Sequence, residues 1–153
     1  TALCIKHAAR AMRERGGAIV TISSIAATRP STWMAPYSTT KAGVEMMTRC
    51  AAAELGQFGI RANCIAPGWI DTEATLTHLS EVFRDGCIEE TPMGRAGLPA
   101  DVADAAVYFA SEQSRWVTEQ VMGVDGGQSL HVHDYEQLSR TVYGDELVVA
   151  CKK

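Results

Sequence analysis

The chain has 153 residues, enough for one compact domain with a sizeable core, and its 46% hydrophobic to 21% charged balance is that of an ordinary globular protein. A formal net charge of -4 and the lack of a basic patch with interleaved aromatics argue against nucleic acid and anionic membranes as partners. No run reaches the roughly 18 apolar residues of a membrane span, and no signal-peptide pattern opens the chain.

Thr1 to Arg15 has the period of a helix: Ala2, Ile5, Ala9 and Met12 recur at helical spacing, with Lys6, Arg10, Arg13 and Glu14 between them. Gly16 and Gly17 end it. Ala18 to Ser23 (AIVTIS) is a short β-branched run, which predicts a strand buried on both faces. After a loop with Pro30, a long helix is expected from near Pro36 to about Gln57. Proline suits a first turn, where its missing N–H has no partner to lose. Gly56 and Gly59 mark the exit, and Ile60 to Ala66 is a second strand closed by Pro67 and Gly68. Asp71 to Arg95 is mixed and predicts one or two short helices, the better one over Leu76 to Asp85. Pro99 opens a helix to about Ala110, with Val102, Ala105, Ala106 and Phe109 on one face, although Leu98 is a poor cap. Gln120 to Val124 is a third strand, closed by Asp125, Gly126 and Gly127. The tail holds a candidate helix, with Asp134 and Gln137 spaced as in a capping box, and an apolar run from Leu147 to Cys151.

Strands alternating with helices imply right-handed crossovers and a parallel sheet in an α/β fold. About three strands with flanking helices are few for such a sheet, whose faces need cover and whose edges need partners. The pattern is that of the C-terminal half of a doubly wound Rossmann-type sheet. Residues 1–127 form the partial domain and 128–153 a C-terminal extension. Thr1 stands inside a helical pattern with no initiator Met, which predicts a piece of a longer protein or a processed start. The five cysteines, Cys4, Cys50, Cys64, Cys87 and Cys151, show no CxxC and no metal-type spacing. They are expected as small buried apolar residues in a reducing, cytoplasmic setting. His131 and His133 could form an HxH pair, but no third ligand is evident, so a solvated segment is the expectation and no metal is assigned.

The chemistry starts at Tyr37 and Lys41, four residues apart and so on one helix face. An ammonium beside a phenol favours the phenolate, which makes Tyr37 a candidate general acid/base for a hydroxyl or carbonyl. Alone, the pair could equally be a surface i,i+4 contact. Ser24 stands at the C-terminal end of the first strand, thirteen residues before Tyr37. Ligands of open α/β sheets bind beyond such ends, and a serine there can hydrogen-bond a substrate oxygen. It can also be a simple turn or cap residue, and Ser23 competes by position.

The segment IVTISSIAATRPSTWMAPYSTTKAGVEMMTRCAAAEL resembles the active-site segment of short-chain dehydrogenases/reductases, in which a serine-containing strand end precedes a Tyr-x-x-x-Lys helix. The resemblance continues through GIRANCIAPGWIDT, PMGRAGLPADVADAAVYFAS and VMGVDGG, covering about residues 1–127 in the family's order. The family's serine-to-tyrosine spacing selects Ser24 over Ser23.

The resemblance implies a catalytic set of Ser24, Tyr37 and Lys41 and a small alcohol or ketone as substrate, with NAD or NADP as cofactor. Tyr37 would move the proton, Lys41 would assist it and hydrogen-bond the nicotinamide ribose, and Ser24 would orient the substrate oxygen. The same likeness places the backbones of Ile22 and Ser23 along the cofactor. Pro67 and Gly68 turn the chain there, the Ile70 backbone meets the nicotinamide carboxamide, and the Thr72 hydroxyl reaches phosphate. Ser24, Ile25, Ala26, Tyr37 and Trp69 become substrate-pocket candidates. Leu76, Leu79, Val82, Phe83, Cys87 and Ile88 could line a lid or pack on the core. Trp33 and Met34 are expected in loop or interface packing. The helices over 1–15 and 36–57 resemble the family's dimer or tetramer contact, with Ala42, Met46, Met47, Cys50 and Ala53 compatible with it.

Three departures stand out. The family's Gly-rich pyrophosphate turn is not in this sequence. Its Thr-Gly pair before the last strand is Thr118-Glu119, and a tail follows Gly127. Related chemistries on the same helix, epimerisation or dehydration, are one alternative. A non-catalytic module that only binds partner subunits is another.

Overall fold

A computed structural model describes residues 1–30, 33–78 and 80–130. The His131/His133 pair, the tail helix at Asp134 and Gln137, the run from Leu147 to Cys151, and Leu79 lie outside the described residues.

The elements are α1 (Ala2–Met12), β1 (Gly17–Ile22), α2 (Ala35–Leu55), β2 (Ile60–Pro67), α3 (Glu73–His78), α4 (Glu81–Glu89), α5 (Pro99–Ala110) and β3 (Val121–Val124). The sheet is parallel, in the order β1-β2-β3. Gly17 pairs with Ile60 and Ile22 with Ile65, while Cys64 pairs with Val121 and Pro67 with Val124. Successive side chains alternate between the two faces of such a sheet. One face carries Ile19 and Ala62, which form the core with Ala51, Ala52 and Ile60 under Ile5, Ala8 and Met12 of α1. The other face is turned to α5, whose Phe109 is fully buried.

Three expectations need correction. β1 is not buried on both faces. Ile19 and Thr21 are buried toward α2, whereas Ala18 and Val20 are half-covered and Ile22 is exposed. The small side chains of α5 cover that face only in part, and β1 has a partner on one edge alone among the described residues. The helix expected over Leu76 to Asp85 is two helices. Ser80 separates them, because its Oγ accepts the Phe83 N–H at 3.3 Å as the cap of α4, a role serine prefers to a helix interior. The cysteines are not uniformly buried: Cys64 is, Cys87 is partly covered, and Cys4 and Cys50 are exposed. Burial pushes the Cys64 thiol above its usual range.

The turn at Thr118-Glu119 is held by hydrogen bonds to β2. Glu119 adopts a left-handed φ of 70°, the conformation glycine would take without strain. Its N–H donates to Ala62 O at 2.8 Å, and Thr118 Oγ1 accepts the Ala62 N–H at 3.1 Å. Those hydrogen bonds hold the strained residue in place. Two polar residues of IRANCIAPG have structural tasks that their pattern did not reveal. Arg61 Nη1 donates to Phe109 O and Ser114 Oγ, each at 2.8 Å, closing the end of α5. Asn63, fully buried, donates to Val117 O at 2.9 Å and accepts the Gln120 N–H at 3.0 Å, which pins the loop that leads into β3.

Asn63→Ala removes two hydrogen bonds to part-buried backbone groups and leaves space at a fully buried position. It should cost about 1–3 kcal/mol in urea denaturation, since each such hydrogen bond contributes roughly 0.5–1.5 kcal/mol. A loss under about 0.5 kcal/mol would contradict the pinning role.

Candidate active site

β1 ends at Ile22, and the next two residues diverge. Ser23 is buried and its hydroxyl is committed inward, within 3.0 Å of both Lys41 O and Glu45 Oε1. Ser24 is half-buried, and its Oγ accepts the Ala26 N–H at 3.2 Å, capping the 3-10 turn Ile25–Ala27. Its hydroxyl proton donates to nothing among the described residues. Ser23 therefore serves the interior, while Ser24 keeps a free donor at the strand's carboxyl end.

Tyr37 lies in the first turn of α2, and Pro36 occupies that same turn. Tyr37 is 43% exposed. One turn on, Lys41 Nζ lies 5.6 Å from the centre of the Tyr37 ring and donates to Ile22 O at 3.2 Å. The ammonium thus spans from the tyrosine to the strand end. It uses one of three donors there, leaving two for a ligand.

Pro67 ends β2, and the chain turns through Gly68 and Trp69. The Ile70 N–H has no partner among the described residues, while Ile70 O accepts from Thr75 Oγ1 at 2.8 Å. Thr72 Oγ1 accepts the Thr75 N–H at 3.1 Å at the start of α3, so the hydroxyl expected to reach phosphate is engaged in capping that helix. Asp71 anchors this loop to α4 through Arg84 Nη2 at 2.7 Å and Nε at 3.0 Å. The Arg84 guanidinium holds the Asp71 carboxyl below the usual carboxylate range.

Between the loop after β1 and α4 runs an open groove of about 750 Å³. Of the pocket candidates, Ser24 and Tyr37 are not among its lining residues, whereas Ile25 and Ala26 are, together with Val82, Phe83 and Cys87. Trp69 is not a lining residue either: its ring packs 5.5 Å from Phe83 and its Nε1 donates to Asp71 at 2.9 Å, so it supports the wall from behind. Leu76 lines a separate hollow of about 430 Å³ with Arg84 and Asp85. Trp33 and Met34, expected in loop or interface packing, line the groove. Arg29, Glu90 and Gln128 also line it and were not anticipated, because nothing in their local sequence distinguishes them from solvated loop residues. Among the described residues, no three of His, Cys, Asp or Glu gather in a metal-holding cluster, and no helix is long and apolar enough to cross a membrane.

A family model described as Enoyl-(Acyl carrier protein) reductase matches residues 1–129. The chain is 42% identical over 118 residues to the 3-oxoacyl-(acyl-carrier-protein) reductase of Chlamydia muridarum, covering 77% of this chain and 47% of that one. The chain belongs to the short-chain dehydrogenase/reductase family. It spans about half the length of the curated relatives it matches. A solved 7α-hydroxysteroid dehydrogenase, complexed with NADH and 7-oxo glycochenodeoxycholic acid, is 37% identical with a TM-score of 0.75, covering 78% of this chain and 47% of that one. A gluconate 5-dehydrogenase from Burkholderia cenocepacia, in complex with NADP and tartrate, is 35% identical with a TM-score of 0.78, covering 83% and 51%. The α/β architecture is that of Rossmann-type family members.

Two carboxylates, one in the loop after β2 and one in the first turn of α5, generate an acid dependence. Asp71 is held low by Arg84, and Asp101 is lowered to about 2 by Arg95 and by the Leu98 N–H at the start of α5. A carboxylate with a depressed folded-state pKa contributes stability above its unfolded value of about 4, and this is lost as pH falls through the folded value. For Asp101 the loss runs from about pH 4 down to about 2. Arg84→Met and Arg95→Met should each flatten the acid limb of the thermal midpoint measured against pH. Curves parallel to wild type would contradict the assignment.

Proposed function

We propose that the chain supplies the catalytic part of an NAD(P)-dependent oxidoreductase that interconverts a secondary alcohol and a ketone. The observation that carries the proposal is the reach of Lys41, which touches the end of β1 while lying beside Tyr37. It gathers a phenol, an ammonium and the strand end that bears Ser24 at one edge of the sheet, where ligands of open α/β sheets bind.

In ketone reduction, Tyr37 donates its phenolic proton to the substrate oxygen, and in alcohol oxidation it takes that proton back. Ser24 directs its free hydroxyl proton at the same oxygen, holding the reacting carbon in place and stabilising charge that develops on the oxygen. Lys41 holds its ammonium beside the Tyr37 ring and keeps two donors for ribose hydroxyls. Ser23 and Ile22 form the strand-end backbone beside that ribose. A nicotinamide cofactor, NAD or NADP, supplies or accepts the hydride when bound.

The donor set suits such a cofactor. The unpartnered Ile70 N–H matches a carboxamide oxygen, the Lys41 ammonium matches vicinal hydroxyls, and Pro67 and Gly68 turn the chain between them. Thr72 reaches a phosphate only by sharing or leaving its cap on α3. The two relatives solved with NADH and NADP support the cofactor class, and their hydroxysteroid and gluconate dehydrogenase activities support the alcohol/ketone reading. The groove lined by Ile25, Phe83 and Val82 suits a substrate with an apolar body. The exposed side chains of Ala42, Met46, Cys50 and Ala53 on α2 suit a helix contact in a dimer or tetramer. The tail over 128–153 is assigned to an extension of this domain, and the compartment to the cytoplasm.

In the complete enzyme, Tyr37→Phe should lower kcat by roughly 10²- to 10⁴-fold while nicotinamide fluorescence reports cofactor affinity within a few-fold of wild type. Lys41→Ala should weaken both rate and cofactor affinity, because one ammonium serves both. Near-normal turnover of Tyr37→Phe would refute the proposal.

A further inference from the structure

The Asp125–Gly127 turn after β3 has no task in the chemistry above, and the residue it presents, Gln128, is a polar side chain only 6% exposed. The turn is built for that presentation. The Asp125 carboxylate accepts the N–H groups of Gly127 and Ser129, both at 2.9 Å, and Asp125 O accepts the Gln128 N–H at 3.0 Å. A Cβ on Gly127 would stand 2.9 Å from Pro92, so the turn sits directly against the segment that follows α4.

From this seat Gln128 reaches two other segments. Its Oε1 accepts the Trp69 N–H at 2.7 Å, and its backbone carbonyl accepts the Arg29 guanidinium. A Cβ on Gly68 would come within 2.6 Å of that Oε1, so a glycine at 68 is what lets the amide approach. Arg29 in turn holds Glu90 at 3.0 Å, just past the end of α4. Gln128 therefore joins the loop after β2 through its side chain and, through its backbone carbonyl and Arg29, the loop after β1 and the far wall of the groove. The residue next to its Trp69 contact is Ile70, whose N–H has no partner among the described residues.

We infer that Gln128 is a positioning residue for the nicotinamide side of the cleft, holding the Pro67–Thr72 loop so that the Ile70 N–H faces a ligand, and tying that loop through Arg29 to the groove wall at Glu90. The inference rests on the function proposed above. Without the acceptor, the Trp69 N–H loses its partner and the loop that carries Ile70 loses its anchor to the turn after β3.

The test uses the complete enzyme and three variants. Gln128→Met keeps the length and removes the acceptor, Gln128→Glu keeps the acceptor, and Arg29→Met breaks the second arm. Cofactor Kd is read by nicotinamide fluorescence, without turnover, beside kcat, both KM values and the thermal midpoint. Gln128→Met should raise cofactor Kd and KM roughly tenfold, the scale of one unmet buried N–H. Gln128→Glu should return them to within about threefold, since its carboxylate keeps an acceptor for the Trp69 N–H. Arg29→Met should raise substrate KM several-fold and move cofactor Kd less. A Gln128→Met enzyme with wild-type Kd and kcat/KM and only a lowered thermal midpoint overturns the inference. So does a Gln128→Glu enzyme as impaired as Gln128→Met. If Gln128→Met does not fold, Arg29→Met decides alone, and an unchanged substrate KM then overturns the inference. Wild-type enzyme with no NAD(P)-dependent turnover would instead sink the functional reading itself.

Discussion

The end of β1 is locked to α2 by a set of polar contacts, two of them buried, and the arrangement of the site follows from that lock. Thr21 and Ser23 lie on one strand face, two residues apart. Lys41, Glu45 and Thr48 lie on one helix face at i, i+4 and i+7. The two faces meet in register: Thr21 Oγ1 with Thr48 Oγ1 at 2.6 Å, Ser23 Oγ with Lys41 O and Glu45 Oε1, and Lys41 Nζ with Ile22 O. Sliding the helix by one turn, about 5.4 Å, would strand two buried hydroxyls and a buried carboxylate. Such groups are costly unpaired and rigid when satisfied. The contacts therefore fix where Tyr37 stands relative to the strand end.

The same alternation separates two neighbouring serines. Ser23 points into the lock and Ser24 caps the turn beyond it, so a shift of one residue would exchange their environments. In the proposed reaction, Ser23 is consumed in holding the scaffold and Ser24 keeps its proton for a ligand. Around this point the loops after β1, β2 and β3 converge, with Asp71–Arg84 and Gln128–Trp69 fixing the middle one from two sides.

Much of the fold was legible because its signals are local. The period of α1, the β-branched run of β1, Pro36 in the first turn of α2 and Pro99 opening α5 each act within a few residues. The alternation of these elements was enough to imply a parallel sheet. What escaped depends on contacts distant in sequence. Asn63 and Arg61 lie within a strand whose pattern assigns them no task, yet they organise residues about fifty positions away. The break at Ser80 turned on a choice between cap and helix interior that periodicity does not resolve. Glu119 keeps a left-handed backbone because its neighbours' hydrogen bonds outweigh its preference. For the site, the spacing of Ser24, Tyr37 and Lys41 could be read directly, and the resemblance assigned their roles. Arg29, Glu90 and Gln128 could not be read, since only the folded loops bring them to one groove.

The most direct test is a crystal structure of the complete enzyme with cofactor and an unreactive ketone analogue. The account predicts Ser24 Oγ and Tyr37 Oη both within hydrogen-bond reach, about 2.6–3.2 Å, of the analogue's carbonyl oxygen, with Lys41 Nζ on the ribose hydroxyls. A structure in which the two hydroxyls address separate spaces, or in which Ser23 rather than Ser24 meets the ligand, would contradict it.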